Sequence, residues 1–213
     1  MQKGLTELVF ILDESGSMSG MEADTIGGFN SMIEKQRREA GEAYVSTVAF
    51  SNESRVIHDR VDLKRVEPMT RRDYVPGGCT ALLDALGGAI RHIGNVHKYA
   101  RAEDVPEHTI FVITTDGMEN ASRRYTKTEV KAMVERQKAL YGWEFLFLGA
   151  NMDAIAAEGI GIRRDRAVKY VQDTVGMELN SRVVSDTLCD MRMNRPVTAS
   201  WKADIEADEQ ARG

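Results

Sequence analysis

Cysteine is scarce in this chain: Cys79 and Cys189 are the only two, far apart and in different contexts. That excludes a disulfide framework, and a reducing cytoplasm is the expected setting. The four histidines, His58, His92, His97 and His108, are scattered and form no zinc-ligand spacing with the cysteines. No apolar run approaches the roughly 18 residues that a membrane span needs. The N-terminal MQKGLTELVFILDESGS carries a short apolar run that ends at Asp13 and no small-residue cleavage site, so no secretory signal is expected. Positive charge is not in excess. With 28 Lys and Arg against 33 Asp and Glu, the net charge is −5, which argues against a general nucleic-acid binder and an anionic-membrane binder. Neither G-x-x-x-x-G-K-[ST] nor G-x-G-x-x-G follows the first apolar run, so no nucleotide phosphate loop is expected there. There is no internal repeat, low-complexity tract or Gly/Ser linker.

The composition is that of an ordinary globular chain, 42% hydrophobic and 29% charged. Its 213 residues suffice for one well-filled core and are too few for two comfortable domains. Short apolar runs alternate with longer amphipathic stretches. LTELVFIL (5–12), AYVSTVAF (43–50), HTIFVITT (108–115) and WEFLFLGA (143–150) read as strands, with RAVKYV (166–171) a weak last one. RVIHDRV (55–61) follows the turn SNES and reads as the returning arm of a hairpin, hence an antiparallel edge. Helices are expected over 21–39, 81–94, 126–141 and 174–193, with a short one over NMDAIAAEG (151–159) closed by Gly159. Thr126 and Glu129 form a capping box for the third of the long helices. Residues 62–76 are polar and irregular, and the tail from Pro196 onward is polar and acidic. This alternation, with near-continuous apolar strands, predicts an α/β fold with a mostly parallel sheet and helices on both faces.

In such sheets ligands bind outside the carboxyl ends of the strands. Two strands end in an aspartate there. VFIL runs into Asp13, and VITT runs into Asp116, a loop carboxylate expected at the surface. Two neighbouring carboxylates repel unless something positive lies between them. Hydroxyls surround them in sequence: Ser15, Ser17 and, from the loop GGCT, Thr80. Oxygen-only ligands of this kind suit a hard divalent cation, Mg²⁺ or Mn²⁺, and Ca²⁺ also takes oxygens. Neutral hydroxyls leave the ion partly unneutralised and able to accept an external carboxylate.

The set D13-E-S15-G-S17, Thr80 in GGCTALLDAL and Asp116 in TTDGMEN resembles the von Willebrand factor A (VWA) domain with its metal-ion-dependent adhesion site. The resemblance covers roughly residues 5–195, leaving 196–213 as a tail. Residues 147–162, FLGANMDAIAAEGIGI, resemble the small bacterial or phage cytoplasmic members. It implies a Rossmann-like, doubly wound sheet of about six strands with one antiparallel edge. It implies that Ser15, Ser17 and Thr80 ligate the metal while Asp13 and Asp116 act mainly through water. It also implies a non-enzymatic binding module whose protein partner supplies an Asp or Glu carboxylate, with neither nucleic acid nor membrane as partner.

Each residue also has a plainer reading. Asp13–Ser17 could be a strand-to-helix turn with side-chain caps, Thr80 an N-cap and Asp116 a turn aspartate before Gly117. Glu119 and Asn120 are expected to shape their loop, Glu14 to point to solvent and Cys79 to be a small buried residue. Lys64, Arg65, Arg71 and Arg72 form either a solvated loop or a rim that attracts an acidic partner. The rival activity is a metal-dependent phosphohydrolase of haloacid-dehalogenase type with Asp13 as nucleophile. Such an enzyme needs an acid two residues later to protonate the leaving group, and Ser15 stands there.

Overall fold

The computed structural model describes residues 1–150 and 154–213. Six strands form one sheet: β1 (Gln2–Asp13), β2 (Glu42–Phe50), β3 (Ser54–Asp62), β4 (Pro106–Thr115), β5 (Glu144–Gly149) and β6 (Ala167–Lys169). Their order across the sheet is β3-β2-β1-β4-β5-β6. All neighbours pair in parallel except β2 and β3, which form the antiparallel edge hairpin that the sequence suggests. The helices are α1 (Glu22–Gln36), α2 (Leu82–Tyr99), α3 (Lys127–Tyr141), α4 (Ala154–Gly159), α5 (Thr174–Arg192) and α6 (Ala203–Arg212).

β1 is central and buried on both faces, which is why LVFIL is continuous rather than alternating. Leu8, Phe10 and Leu12 pack with Phe29 and Ile33 of α1 and Val184 and Leu188 of α5. Val9 and Ile11 point the opposite way, onto Leu86 and Ile90 of α2 and Val130 and Val134 of α3. Period-2 alternation along one strand thus serves two helical layers.

Element types agree with the pattern, and boundaries differ. α2 runs five residues past the expected 94 because the amphipathic stripe fades while the backbone bonds continue. The Thr126–Glu129 capping box is present at α3, which stops at Gly142 in the left-handed conformation (φ +65°). The expected start of the short helix at 151–153 lies outside the described residues. The tail is not merely polar: it folds into a 3₁₀ turn (Ala199–Lys202) and α6, whose Ile205 is buried against the α1/α5 layer. Among the described residues, no helix is long and apolar enough to cross a membrane.

The order 3-2-1-4-5-6 reverses direction between β1 and β4, and at that switch point the loops leaving the two strands lead to helices on opposite faces, α1 and α3, which opens a crevice between them. Asp13 closes β1, and Asp116 follows Thr115, the last residue of β4.

Candidate functional site

The structure brings all five residues singled out in the sequence to the carboxyl end of β1 and β4. Asp13 is 1% exposed, and its partners are neutral: Ser15 N–H donates to Oδ1 at 2.8 Å and Thr115 Oγ1–H to Oδ2 at 2.6 Å. Ser15 Oγ and Ser17 Oγ lie 3.1 Å apart, and Ser17 Oγ–H donates to Asp116 Oδ1 at 2.7 Å. Thr80 enters from the third loop. A Cβ on Gly117 would lie 2.8 Å from Thr80 Oγ1 and 3.7 Å from Ser17 Oγ, so both hydroxyls converge on that glycine. Ser17 is exposed while Asp13, Ser15, Thr80 and Asp116 are buried, leaving the cluster one open side.

Asp116 is also only 1% exposed, which corrects the expectation of a surface carboxylate. It is drawn inward because Ser17 and Gln172 both donate to it. Burial raises the pKa of Asp13. Its bonds from Thr115 and Ser15 work against that rise, and the charge of Asp116 adds to it.

The loops around the cluster are fixed by backbone bonds. Gly16 N–H donates to Gly78 C=O at 3.0 Å and Gly77 N–H to Glu14 C=O at 2.8 Å, tying the D-x-S-x-S loop to the GGCT loop. Gly78 has φ +81°, and a Cβ there would strike the Asn52 amide, so the turn needs glycine. Asn120 Oδ1 accepts from Thr80 N–H at 2.9 Å, and Asn120 N–H donates to Thr80 C=O at 3.0 Å. Glu119 accepts from Leu83 N–H at 2.9 Å and from Ser122 N–H at 2.7 Å, and Ser122 Oγ accepts from Asp84 N–H at 3.0 Å. Glu119 and Asn120 are therefore loop-shaping, as expected. Glu119 and Ser122, rather than Thr80, satisfy the first turn of α2, and the Thr80 hydroxyl faces the crevice instead of capping the helix.

Two further expectations fail. Glu14 does not point to solvent: it is buried and pairs with Arg55 Nη2 at 3.0 Å, while that guanidinium also donates to Asp73 C=O at 2.8 Å. Its carboxylate turns inward because Arg55 on the edge strand reaches over it. Cys79 is exposed rather than buried: its own N–H is held by Asn52 Oδ1 at 2.8 Å and that of Thr80 by Asn120, which leaves the Cys79 side chain outside.

Other neighbours escaped the sequence reading. Tyr74 O–H donates to Asp13 C=O. Gln172, between β6 and α5, donates from Nε2 to Asp116 Oδ2 at 2.6 Å and to Ser17 C=O at 3.1 Å. Tyr170 is 2% exposed, and its hydroxyl has no hydrogen-bond partner among the described residues. Burial raises its pKa, and the charges of Asp116 and Asp13 push it the same way. Thr115 could have been suspected from its place beside Asp116; Gln172 and Tyr170 carry no sequence signal.

These features fit a divalent cation. The side-chain groups that converge there offer oxygens, two carboxylates are buried in the same cluster, and the buried hydroxyl of Tyr170 has no partner among the described residues.

The fold is that of von Willebrand factor type A domains. A von Willebrand factor type A structure from Catenulispora acidiphila superposes with a TM-score of 0.56 at 14% identity, over 86% of this chain and 42% of that one. Proximal thread matrix protein 1 from the mussel byssus gives a TM-score of 0.61 at 12% identity, over 88% and 47%. A second structure of that protein, with its MIDAS motif occupied by zinc, gives 0.59 at 13%, over 88% and 46%. The chain spans less than half the length of these structures. No family model and no curated protein sequence matches the chain.

Proposed function

We propose that this chain is a non-enzymatic, divalent-metal-dependent protein-binding module. Asp13, Ser15, Ser17, Thr80 and Asp116 hold Mg²⁺ or Mn²⁺, and an Asp or Glu carboxylate from a protein partner completes the coordination. The observation that carries this reading is the hydroxyl–carboxylate chain Ser15–Ser17–Asp116 beside buried Asp13 at the switch point. The ion would supply a positive charge between two carboxylates and an open position towards solvent on the Ser17 side.

Partner acidity has support in the surroundings. A groove of about 710 Å³ adjoins the site through Cys79 and Asn120 and is lined by Arg123 and Arg124. These guanidiniums, with the exposed segment holding Lys64, Arg65, Arg71 and Arg72, would steer an acidic surface towards the metal. A scaffold or assembly role in a bacterial or phage cytoplasm is the setting this reading favours.

The phosphohydrolase alternative draws no support from the geometry. Ser15 stands where the leaving-group acid is required, and its hydroxyl pairs with another hydroxyl, that of Ser17, at 3.1 Å.

The test is thermal unfolding of metal-stripped protein titrated with Mg²⁺, Mn²⁺, Ca²⁺ and Zn²⁺, with Ser15→Ala alongside. A ligand that binds only the native state raises stability, by about 2.7 kcal/mol at a hundredfold excess over Kd. The expected result is a saturable rise that Ser15→Ala loses. A melting temperature indifferent to every ion would remove the proposal.

A further inference from the structure

We propose that the segment joining β6 to α5 forms a fourth wall of the metal site, with Gln172 as the positioning residue that holds Asp116 in its ligating orientation. The inference rests on the metal reading above and adds to it a residue that lies outside the three motif-bearing loops.

The argument starts from one amide group. Gln172 Nε2 donates to Asp116 Oδ2 at 2.6 Å and to Ser17 C=O at 3.1 Å. One side chain thereby grips a residue from each of two other loops. The remaining oxygen, Asp116 Oδ1, accepts from Ser17 Oγ–H at 2.7 Å. With a donor on each oxygen, rotation of the carboxylate about its last bond is blocked, and Oδ1 stays on the side of the serine hydroxyls. Carboxylates that ligate metals are commonly oriented in this way by an outer hydrogen bond. Two residues earlier, Tyr170 of the same segment is buried, and its hydroxyl has no partner among the described residues.

The segment is itself anchored. Asp173 caps α5 by accepting from Gly176 N–H at 2.8 Å, and Arg212 at the end of α6 donates to the same carboxylate. Arg212 is in turn held by Asp208 at 2.6 Å. The C-terminal helix therefore braces the loop that carries Gln172. Release of that brace would loosen Asp116 without touching any ligand.

The experiment measures Mn²⁺ binding by electron paramagnetic resonance on the full chain, comparing the unaltered protein, Gln172→Met and Arg212→Ala. Methionine keeps the volume of glutamine and removes both donors. The expected result is a loss of Mn²⁺ affinity of about 10–100-fold for Gln172→Met, a broadened bound-Mn²⁺ spectrum, and a melting temperature in chelator equal to that of the unaltered chain. Arg212→Ala is expected to lower affinity by a smaller factor, and it carries the test if Gln172→Met fails to fold. Unchanged affinity in a folded variant overturns the inference. So does a loss of affinity that merely parallels a loss of melting temperature in chelator, since that would be general destabilisation. If the unaltered chain binds Mn²⁺ and Gln172→Met binds it equally well, this inference falls and the metal reading stands. If the unaltered chain binds no Mn²⁺, both fall.

Discussion

Ser17 Oγ–H donates to Asp116 Oδ1 at 2.7 Å across 99 residues of chain. The bond joins the loop after β1 to the loop after β4 and gives Asp116 Oδ1 a hydroxyl donor. Asp116→Ala separates site from fold. The change removes a buried negative charge near Asp13 and leaves the Ser17 and Gln172 donors without this acceptor. These effects oppose each other, so stability in chelator should change by no more than about 1–2 kcal/mol. The rise on adding Mn²⁺ should disappear. An Asp116→Ala protein that still gains stability from Mn²⁺ would place the ion elsewhere.

Gly117 offers a finer probe. Its backbone is not left-handed, so alanine is conformationally tolerable, but the new Cβ would sit 2.8 Å from Thr80 Oγ1. The threonine hydroxyl has to move. Gly117→Ala should weaken Mn²⁺ binding by roughly tenfold, about 1.4 kcal/mol, while the chelated protein unfolds near the unaltered temperature. Isothermal titration with Mn²⁺ reads this directly, and full affinity would remove Thr80 from the ligand set.

How much of this was legible beforehand depends on what sets each feature. The sheet was readable because β1, β4 and β5 are buried on both faces and must be apolar throughout. The hairpin edge showed in SNES between two β-branched runs. Asp13, Ser15, Ser17, Thr80 and Asp116 were readable because strand ends fix where a parallel sheet places its loops. Gln172 and Tyr170 were not, since a short β6 of three residues leaves the following loop without a pattern. Glu14 was misread for a related reason: its inward turn depends on Arg55 across the hairpin, a tertiary contact that spacing along the chain does not encode. The helix α6 was missed because Ile205 is its one buried residue, too little to show a period.

Asp84 gives a pH prediction beside the site. Burial pushes its carboxyl up, but the backbone N–H groups of Arg123, Arg124 and Tyr125 together hold it below the ordinary aspartate value of 3.8. A depressed folded pKa contributes stability that is present above 3.8 and lost as pH falls through the folded value. Asp84→Asn should therefore melt lower than the unaltered protein near neutrality, by roughly 1–2 kcal/mol or about 2–8 °C. The gap should hold constant down to about pH 5 and close as acid is added below pH 4. Melting curves of both proteins across that range test it; a gap that widens in acid would reverse the sign of the linkage.

Glu7, midway along β1, and Arg60 test the fold away from the site. Glu7 is 0% exposed and accepts from Arg60 Nε at 2.8 Å, while its second oxygen, Oε1, has no partner among the described residues. Arg60 sits in a β-bulge of β3 with φ +48° and lies over the Tyr44 ring at 4.8 Å. Its strained backbone is tolerated because the guanidinium neutralises a carboxylate shielded from solvent. Arg60→Ala would leave that carboxylate, among the described residues, with the more distant His97 at 3.5 Å as its remaining ion-pair partner. The expected cost is about 3–5 kcal/mol, the scale for breaking a buried pair by removing one partner. Adding Glu7→Gln to Arg60→Ala should recover part of the loss, because a neutral amide costs less to bury than an unpaired carboxylate. Chemical denaturation of the single and double variants decides the matter. A double variant less stable than Arg60→Ala alone would mean that Glu7 is held by something other than charge compensation.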